Sequence, residues 1–172
     1  MTSIIRADET HARILSGLAG LTFSESHGTS AKPEDVESYV AKNYNNEILR
    51  EELQDADNIY HIVYYNNQAA GYSKIVLNSP YADSASKNIA KLERIYLLKQ
   101  FYSSGMGLEL FKFNINLIKE HDQVGIWLYV WKENQRAVNF YKKNGFIVIG
   151  SHDFKISETH SNPNHQMLLN FK

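Results

Sequence analysis

The sequence predicts an α/β protein: one mixed sheet of about seven strands, with helices packed on both of its faces. Three observations carry that reading. In the second half of the chain, strand-like runs alternate with helix-like runs, which calls for crossover connections and parallel pairing. In the middle, two strand-like runs are separated by only a turn, so they pair antiparallel. The run Val124–Trp131 is almost continuously apolar, as a strand covered on both faces must be.

The elements follow in order. Ser3–Arg6 reads as a short first strand. Asp8 is placed to cap a helix that runs through His11-Ala12-Arg13-Ile14-Leu15 to about Leu21. Gly28–Pro33 breaks the pattern. Pro33-Glu34-Asp35-Val36 then opens a second helix, with proline in the first turn and acids at the positive end of the dipole. A third helix covers about Asn46–Leu53. Ile59–Tyr65 is β-branched and aromatic, Asn66-Asn67-Gln68 supplies a turn, and Ala70–Leu77 returns. Pro80–Lys87 is a polar loop and Ile89–Leu98 a strand. Gly107–Glu120 is a helix whose apolar stripe is Leu108, Phe111, Ile115 and Ile118. After the strand Val124–Trp131, Asn134–Lys143 is a helix stopped by Asn144-Gly145. Phe146–Ile156 and Met167–Phe171 are the last strands, with a loop-like tail between them. The predicted order is β-α-α-α-β-β-β-α-β-α-β-β.

Bulk properties narrow the function. The 172 residues suffice for one domain with its own core, expected to span 1–172. A net charge of −1 offers no footprint for nucleic acid. No apolar run of about 18 residues predicts a membrane span, and residues 1–8 lack an apolar signal region. Zero cysteines exclude disulfides, thiolate zinc sites and a cysteine nucleophile, and fit a cytoplasmic location. The seven histidines include no i, i+4 pair, so no metal site is expected.

Two strand–turn–helix units carry the chemistry. The first is Arg94-Ile95-Tyr96-Leu97-Leu98 followed by Ser103-Ser104-Gly105-Met106-Gly107. Glycines there let backbone approach a ligand, and a helix start presents free N–H groups and a positive dipole end to an anion. The same turn also serves simply to begin a helix. The second unit is Ile126–Trp131, then Asn134, Ala137, Tyr141 and Asn144-Gly145-Phe146. Asn134 suits an N-cap and can also face a cofactor. Tyr141 lies two turns further on about the same face, and small Ala137 between them leaves room for a ligand chain. Core packing is the other role open to Tyr141. Two such units side by side can hold a long phosphorylated cofactor.

Leu92–Phe146, about a third of the chain, resembles the GCN5-related N-acetyltransferase (GNAT) superfamily, which moves an acetyl group from acetyl-CoA to an amine. The superfamily's pyrophosphate loop, Q/R-x-x-G-x-G/A, is matched by Tyr102-Ser103-Ser104-Gly105-Met106-Gly107, with Tyr102 replacing the leading Gln/Arg and Ser103 standing where glycine is common. Its N-x-x-A-x-x-x-Y-x-x-x-G-F stretch is matched in full by Asn134, Ala137, Tyr141, Gly145 and Phe146. Leu53-Gln54, Ala70-Gly71-Tyr72, Ile126-Trp127-Leu128 with Val130-Trp131, and Gly150-x-His152-x-Phe154 resemble a bacterial subgroup that includes spermidine/spermine acetyltransferases.

The resemblance implies a GNAT-like fold in which the strand of Ile95-Tyr96-Leu97 splays from its parallel neighbour ending at Val130-Trp131. Backbone groups of Ile95 and Leu97 would bond the pantetheine arm of acetyl-CoA. Ser103, Ser104, Gly105, Met106, Gly107 and Leu108 would cradle its pyrophosphate, with Asn134 and Tyr141 on the far wall. The amine would attack the thioester directly, Tyr141 protonating the departing thiolate, Glu93 serving as base, and the N–H near Leu97 holding the oxyanion. Strand alternation puts Glu93 and Arg94 on opposite faces, so only one of them can face the site. The acceptor implied is a polyamine or other small primary amine, and Glu51, Glu52, Asp55 and Asp57 would supply the negative charge a polyamine needs unless they form only a solvated helix face. Trp127, Tyr129 and Trp131 share one strand face. Two other readings stay open: acetylation of a protein or peptide, and a non-catalytic acyl-CoA-binding regulatory module, which the departures at Tyr102 and Ser103 favour. The resemblance also admits a homodimer.

Overall fold

The computed structural model describes residues 1–171. Seven strands form one sheet in the order β1-β2-β3-β4-β5-β7-β6, where β1 is Thr2–Arg6, β2 Asn58–Tyr65, β3 Gln68–Val76, β4 Ala90–Leu97, β5 Gly125–Trp131, β6 Ile147–Ser157 and β7 His160–Asn170. Every neighbouring pair is antiparallel except β4–β5. The mixed α/β sheet expected from the sequence is therefore present. Five helices cover it: α1 Ala12–His27, α2 Pro33–Asn43, α3 Asn46–Gln54, α4 Met106–Glu120 and α5 Gln135–Lys143. Leu15, Ala19, Phe23, Val36 and Leu49 from α1–α3 pack against Tyr60, Ile62 and Tyr72 on one face. Phe111, Ile118, Val138 and Tyr141 from α4 and α5 pack against Ile75, Leu92, Ile126 and Leu128 on the other.

Local chemistry explains most boundaries. Asp8 caps a single 3-10 turn at Glu9–His11, and α1 begins only after it. Helix α1 runs to His27, past the expected Leu21, because Leu18, Ala19, Thr22, Phe23 and His27 keep one side buried. Pro33 opens α2 and the Asn45 side chain caps α3. Asn66 and Asn67 both adopt positive φ, 48° and 64°, the twist a two-residue hairpin demands.

Two expectations are corrected. The tail containing His160 and His165 is not a loop: it is most of β7, an 11-residue strand joined to β6 by a tight turn at Glu158–Thr159. Polar residues and Pro163 mask its strand character. The buried side of α4 is formed by Met106, Leu110, Phe111, Asn114 and Ile118, while Leu108 is 37% exposed. Asn114 disguises the stripe. It is a buried polar residue whose Oδ1 meets the Ser73 hydroxyl and His61 Nδ1, each at 3.2 Å.

Candidate active site

Strands β4 and β5 pair through only two positions, Ala90 with Ile126 and Lys91 with Trp127. Both strands then run on, β4 to Leu97 and β5 to Trp131, with no ladder between them. A cavity of about 400 Å³ opens in the resulting V. On its other edge β4 stays paired with β3, and the Leu98 N–H donates to the Ala70 carbonyl at 2.9 Å. Alternation along an antiparallel ladder then turns the N–H and C=O groups of Ile95 and Leu97 away from β3, toward the open V. Those of Tyr96 serve β3, and its side chain lines the cavity instead.

At the mouth of the V stands the start of α4. Gly105, with φ of 86°, is its N-cap, and Ser103 also has a positive φ of 64°. The Ser104 hydroxyl receives the Met106 N–H at 3.3 Å. A Cβ built on Gly105 meets open space, so backbone conformation is what calls for glycine there. Tyr102 and Gly107 line the cavity, Ser103, Ser104 and Gly105 form the exposed turn between them and do not line it, and Met106 is buried against Val63, Ala70 and Leu110. Leu108 stands outside the cavity, its N–H bonded to the Gly105 carbonyl.

The opposite wall comes from α5. Asn134 caps it, accepting the Ala137 N–H at 3.2 Å, and still lines the cavity with Ala137, so the capping and site-facing readings hold together. Tyr141 is 8% exposed and lines the cavity too. Its hydroxyl makes no hydrogen bond to the described residues and is not among the sealed, unpartnered polar atoms, so it opens to the cavity. Burial holds its acidity far below that of a free phenol. A cation not anticipated from the sequence joins this end: the Arg136 guanidinium lies 3.5 Å over the Tyr102 ring, and both residues line the cavity.

A β-bulge shapes the other end. The β3–β4 register pairs Lys74 with Arg94 but Ile75 with Leu92, leaving Glu93 as an extra residue. Simple alternation fails there. Leu92 and Ile95 both contact the α4–α5 core, so the two residues between them turn to the same face, and Glu93 and Arg94 both line the cavity. Their opposition, expected from the sequence, is thereby overturned. Glu93 Oε1 sits 3.0 Å from Lys74 Nζ, and Glu93 Oε2 sits 3.7 Å from Lys91 Nζ. Burial would raise its pKa, but Lys74 and Lys91 outweigh that and hold the carboxyl below its usual range. Arg94 forks onto Glu52 at 3.0 and 3.3 Å, donates to the Tyr60 hydroxyl oxygen at 2.7 Å and lies over the Tyr44 ring. Among the residues expected to lend negative charge, Glu51, Asp55 and Asp57 are exposed. Glu52 is held by Arg94 and Lys74, and none of the four lines the cavity.

Aromatic groups close the far side. Tyr129 and Trp131 line the cavity, whereas Trp127 packs beneath, donating to the Ser79 carbonyl at 2.6 Å. His152 stacks on Tyr129 at 4.4 Å. His27 closes over the edge of Trp131 and is pushed down to about 4 by burial, so its imidazole is neutral at pH 7. No group of histidine, aspartate or glutamate among the described residues is arranged to hold a metal ion.

Residues 24–146 match the family model described as the acetyltransferase (GNAT) family, well over half of the chain. The chain belongs to the GNAT acetyltransferase family. It is 29% identical over 137 residues to an uncharacterized N-acetyltransferase encoded in the pepI 3' region of Lactobacillus delbrueckii subsp. lactis, covering 80% of this chain and 79% of that one. An uncharacterized N-acetyltransferase of Mycobacterium bovis is 25% identical over 153 residues, 89% of this chain and 94% of its own. The fold resembles the crystal structure of PaiA N-acetyltransferase from Thermoplasma acidophilum in complex with coenzyme A, with a TM-score of 0.80, 19% identity and 99% of each chain covered. It also resembles the ribosomal-protein-S18-alanine N-acetyltransferase of Escherichia coli, with a TM-score of 0.70, 16% identity and coverage of 99% of this chain and 94% of that one. As a GNAT acetyltransferase, the protein is an enzyme.

Proposed function

We propose that the enzyme transfers acetyl from acetyl-CoA to a small primary amine by direct attack, with Tyr141 as the acid that protonates the leaving thiolate. The observation that carries this reading is the V between β4 and β5, which leaves the backbone of Ile95 and Leu97 unpaired opposite an open Tyr141 hydroxyl. A pantetheine chain lying in the V replaces the missing strand. The Gly105 turn and the start of α4 suit its pyrophosphate, with Arg136 beside them.

The amine must be neutral to attack, which costs an ordinary alkylammonium about 4.6 kcal/mol at pH 7. As the C–N bond forms, the two N–H protons on the now cationic nitrogen become far more acidic, so even the weakly basic carboxylate of Glu93 can receive one of them, directly or through water, and the other stays on the amide. The C–S bond then breaks, and the sulfur takes the Tyr141 proton. The raised pKa of Tyr141 keeps its hydroxyl protonated at neutral pH, so a hydrogen-bond donor stands beside the sulfur as negative charge develops on it. The Leu97 N–H is placed to steady charge on the carbonyl oxygen.

The test is thiol release from acetyl-CoA in the presence of amines. Turnover with small amines supports the proposal. Turnover with peptides alone moves the acceptor to a polypeptide, and tight CoA binding without thiol release makes the protein a sensor. A polyamine acceptor finds little support in the charge around the cavity, since the acidic run stands away from it.

A further inference from the structure

We propose that the acceptor amine also carries a carboxylate, as amino acids do, and that Lys91 is the cation that receives it. The inference rests on the acetyltransferase reading and names the acceptor class of the same cavity. Its ground is an imbalance in the buried charges at the bulge. Lys74, Lys91, Arg94, Glu52 and Glu93 form one connected ion-pair cluster with three cations and two carboxylates. Both carboxylates are fully engaged, Glu52 by Arg94 and Lys74, Glu93 by Lys74 at 3.0 Å. Lys91 has the loosest tie, one contact of 3.7 Å to Glu93. Its ammonium is held instead over the Trp127 and Tyr129 rings, 5.2 and 5.7 Å from their centroids, and it lines the cavity. A half-buried cation whose one carboxylate partner stands at 3.7 Å and is shared with Lys74 is only partly neutralised, and an anionic group on the ligand completes the neutralisation. A polycation would add to the excess.

A second observation points to polar ligand groups in the same cavity, toward its Trp131 end. Asn164 is 7% exposed and lines the cavity, yet its Oδ1 has no hydrogen-bond partner among the described residues. His27, 9% exposed, lines it as well with Nδ1 unpartnered, while its Nε2 lies 3.4 Å from the Tyr96 hydroxyl. Buried polar atoms are rarely left empty-handed. The cavity therefore presents a spare cation and spare neutral dipoles between aromatic walls. An apolar or aromatic amino acid complements that set: carboxylate for Lys91 and side chain for the Tyr129 ring, with the dipoles of Asn164 and His27 left for other polar groups of the bound ligands.

The experiment compares each amino acid with its own alcohol, which keeps the amine and side chain and removes only the carboxylate. Thiol release is measured with leucine and leucinol, phenylalanine and phenylalaninol, and spermidine. The expected result is kcat/KM at least tenfold higher for an amino acid than for its alcohol, with spermidine poorest. In Lys91→Met, which keeps an apolar stem over the rings, that preference falls to threefold or less, mainly through KM. Alcohols or spermidine turned over as well as the amino acids would overturn the inference while leaving the acetyltransferase reading intact. A preference unchanged in Lys91→Met overturns the role of Lys91. Thiol release with none of the panel also overturns it, and a titration with CoA then shows whether the acetyltransferase reading falls with it.

Discussion

Tyr141 faces two opposed demands: its ring packs between Phe140 and Phe146, and its hydroxyl stays unpaired among the described residues. The ring packing holds the hydroxyl still, so Tyr141→Phe should keep the fold. We expect that variant to lose at least tenfold in kcat with little change in CoA affinity, as steady-state kinetics and calorimetry would report, and an unchanged kcat removes the acid role. That Tyr141 and Asn134 share one face was legible from helical spacing, and the resemblance to the GNAT motif is what marked that face as the cavity side. Glu93 and Arg94 were legible only as residues. Their shared face depends on one extra residue in β4, and alternation gives no warning of a bulge. Nor does the sequence reveal that Lys74 and Arg94, distant in the chain from Glu52, neutralise it.

At the scale of elements, β4 is held in place from the β3 side alone along its outer half. Gly71 is central to that hold. A Cβ there would collide with the Tyr96 carbonyl oxygen and come within 2.9 Å of Leu97 Cα. Gly71→Ala should therefore push β4 into the V, destabilising the protein by roughly 1–3 kcal/mol as overpacking does and raising KM for acetyl-CoA several-fold. Urea unfolding and initial-rate kinetics check both, and wild-type stability with a wild-type KM would show that β4 tolerates the shift. The strand–turn–helix units, the asparagine hairpin and the proline helix start were readable because each rests on a local conformational preference. Strand β7 was not: its polar outer residues and Pro163 give no apolar alternation, and its partners β5 and β6 decide its state. The α4 stripe was misread at Leu108 because Asn114 earns its buried position through His61 and Ser73, contacts distant in sequence.

Taken whole, the molecule places two neutral imidazoles in its interior, one on each face of the sheet. Burial pushes His27 down to about 4, and burial with nearby Arg6 pushes His61 to about 4. Unfolding frees both to take up protons near pH 6.5, so the unfolded chain binds more protons between those values and stability falls with acidification. Between pH 7 and pH 5 the loss should be about 2 kcal/mol per imidazole. Carboxylates such as Glu52 and Glu93, whose pKa values are lowered by their partners, add to the loss only at lower pH. Urea midpoints at the two pH values measure the effect, and His61→Gln should remove about half of it; equal midpoints in the wild-type protein would mean the imidazoles are protonated in place.

The open V between two parallel strands is what every functional statement above depends on. Amide hydrogen exchange across residues 93–98, with and without CoA, tests it most directly. Saturating CoA should slow exchange at Ile95 and Leu97 while the amides already bonded to β3, Tyr96 and Leu98, change little. Equal rates at Ile95 and Leu97 with CoA demonstrably bound would place the cofactor elsewhere and contradict the account.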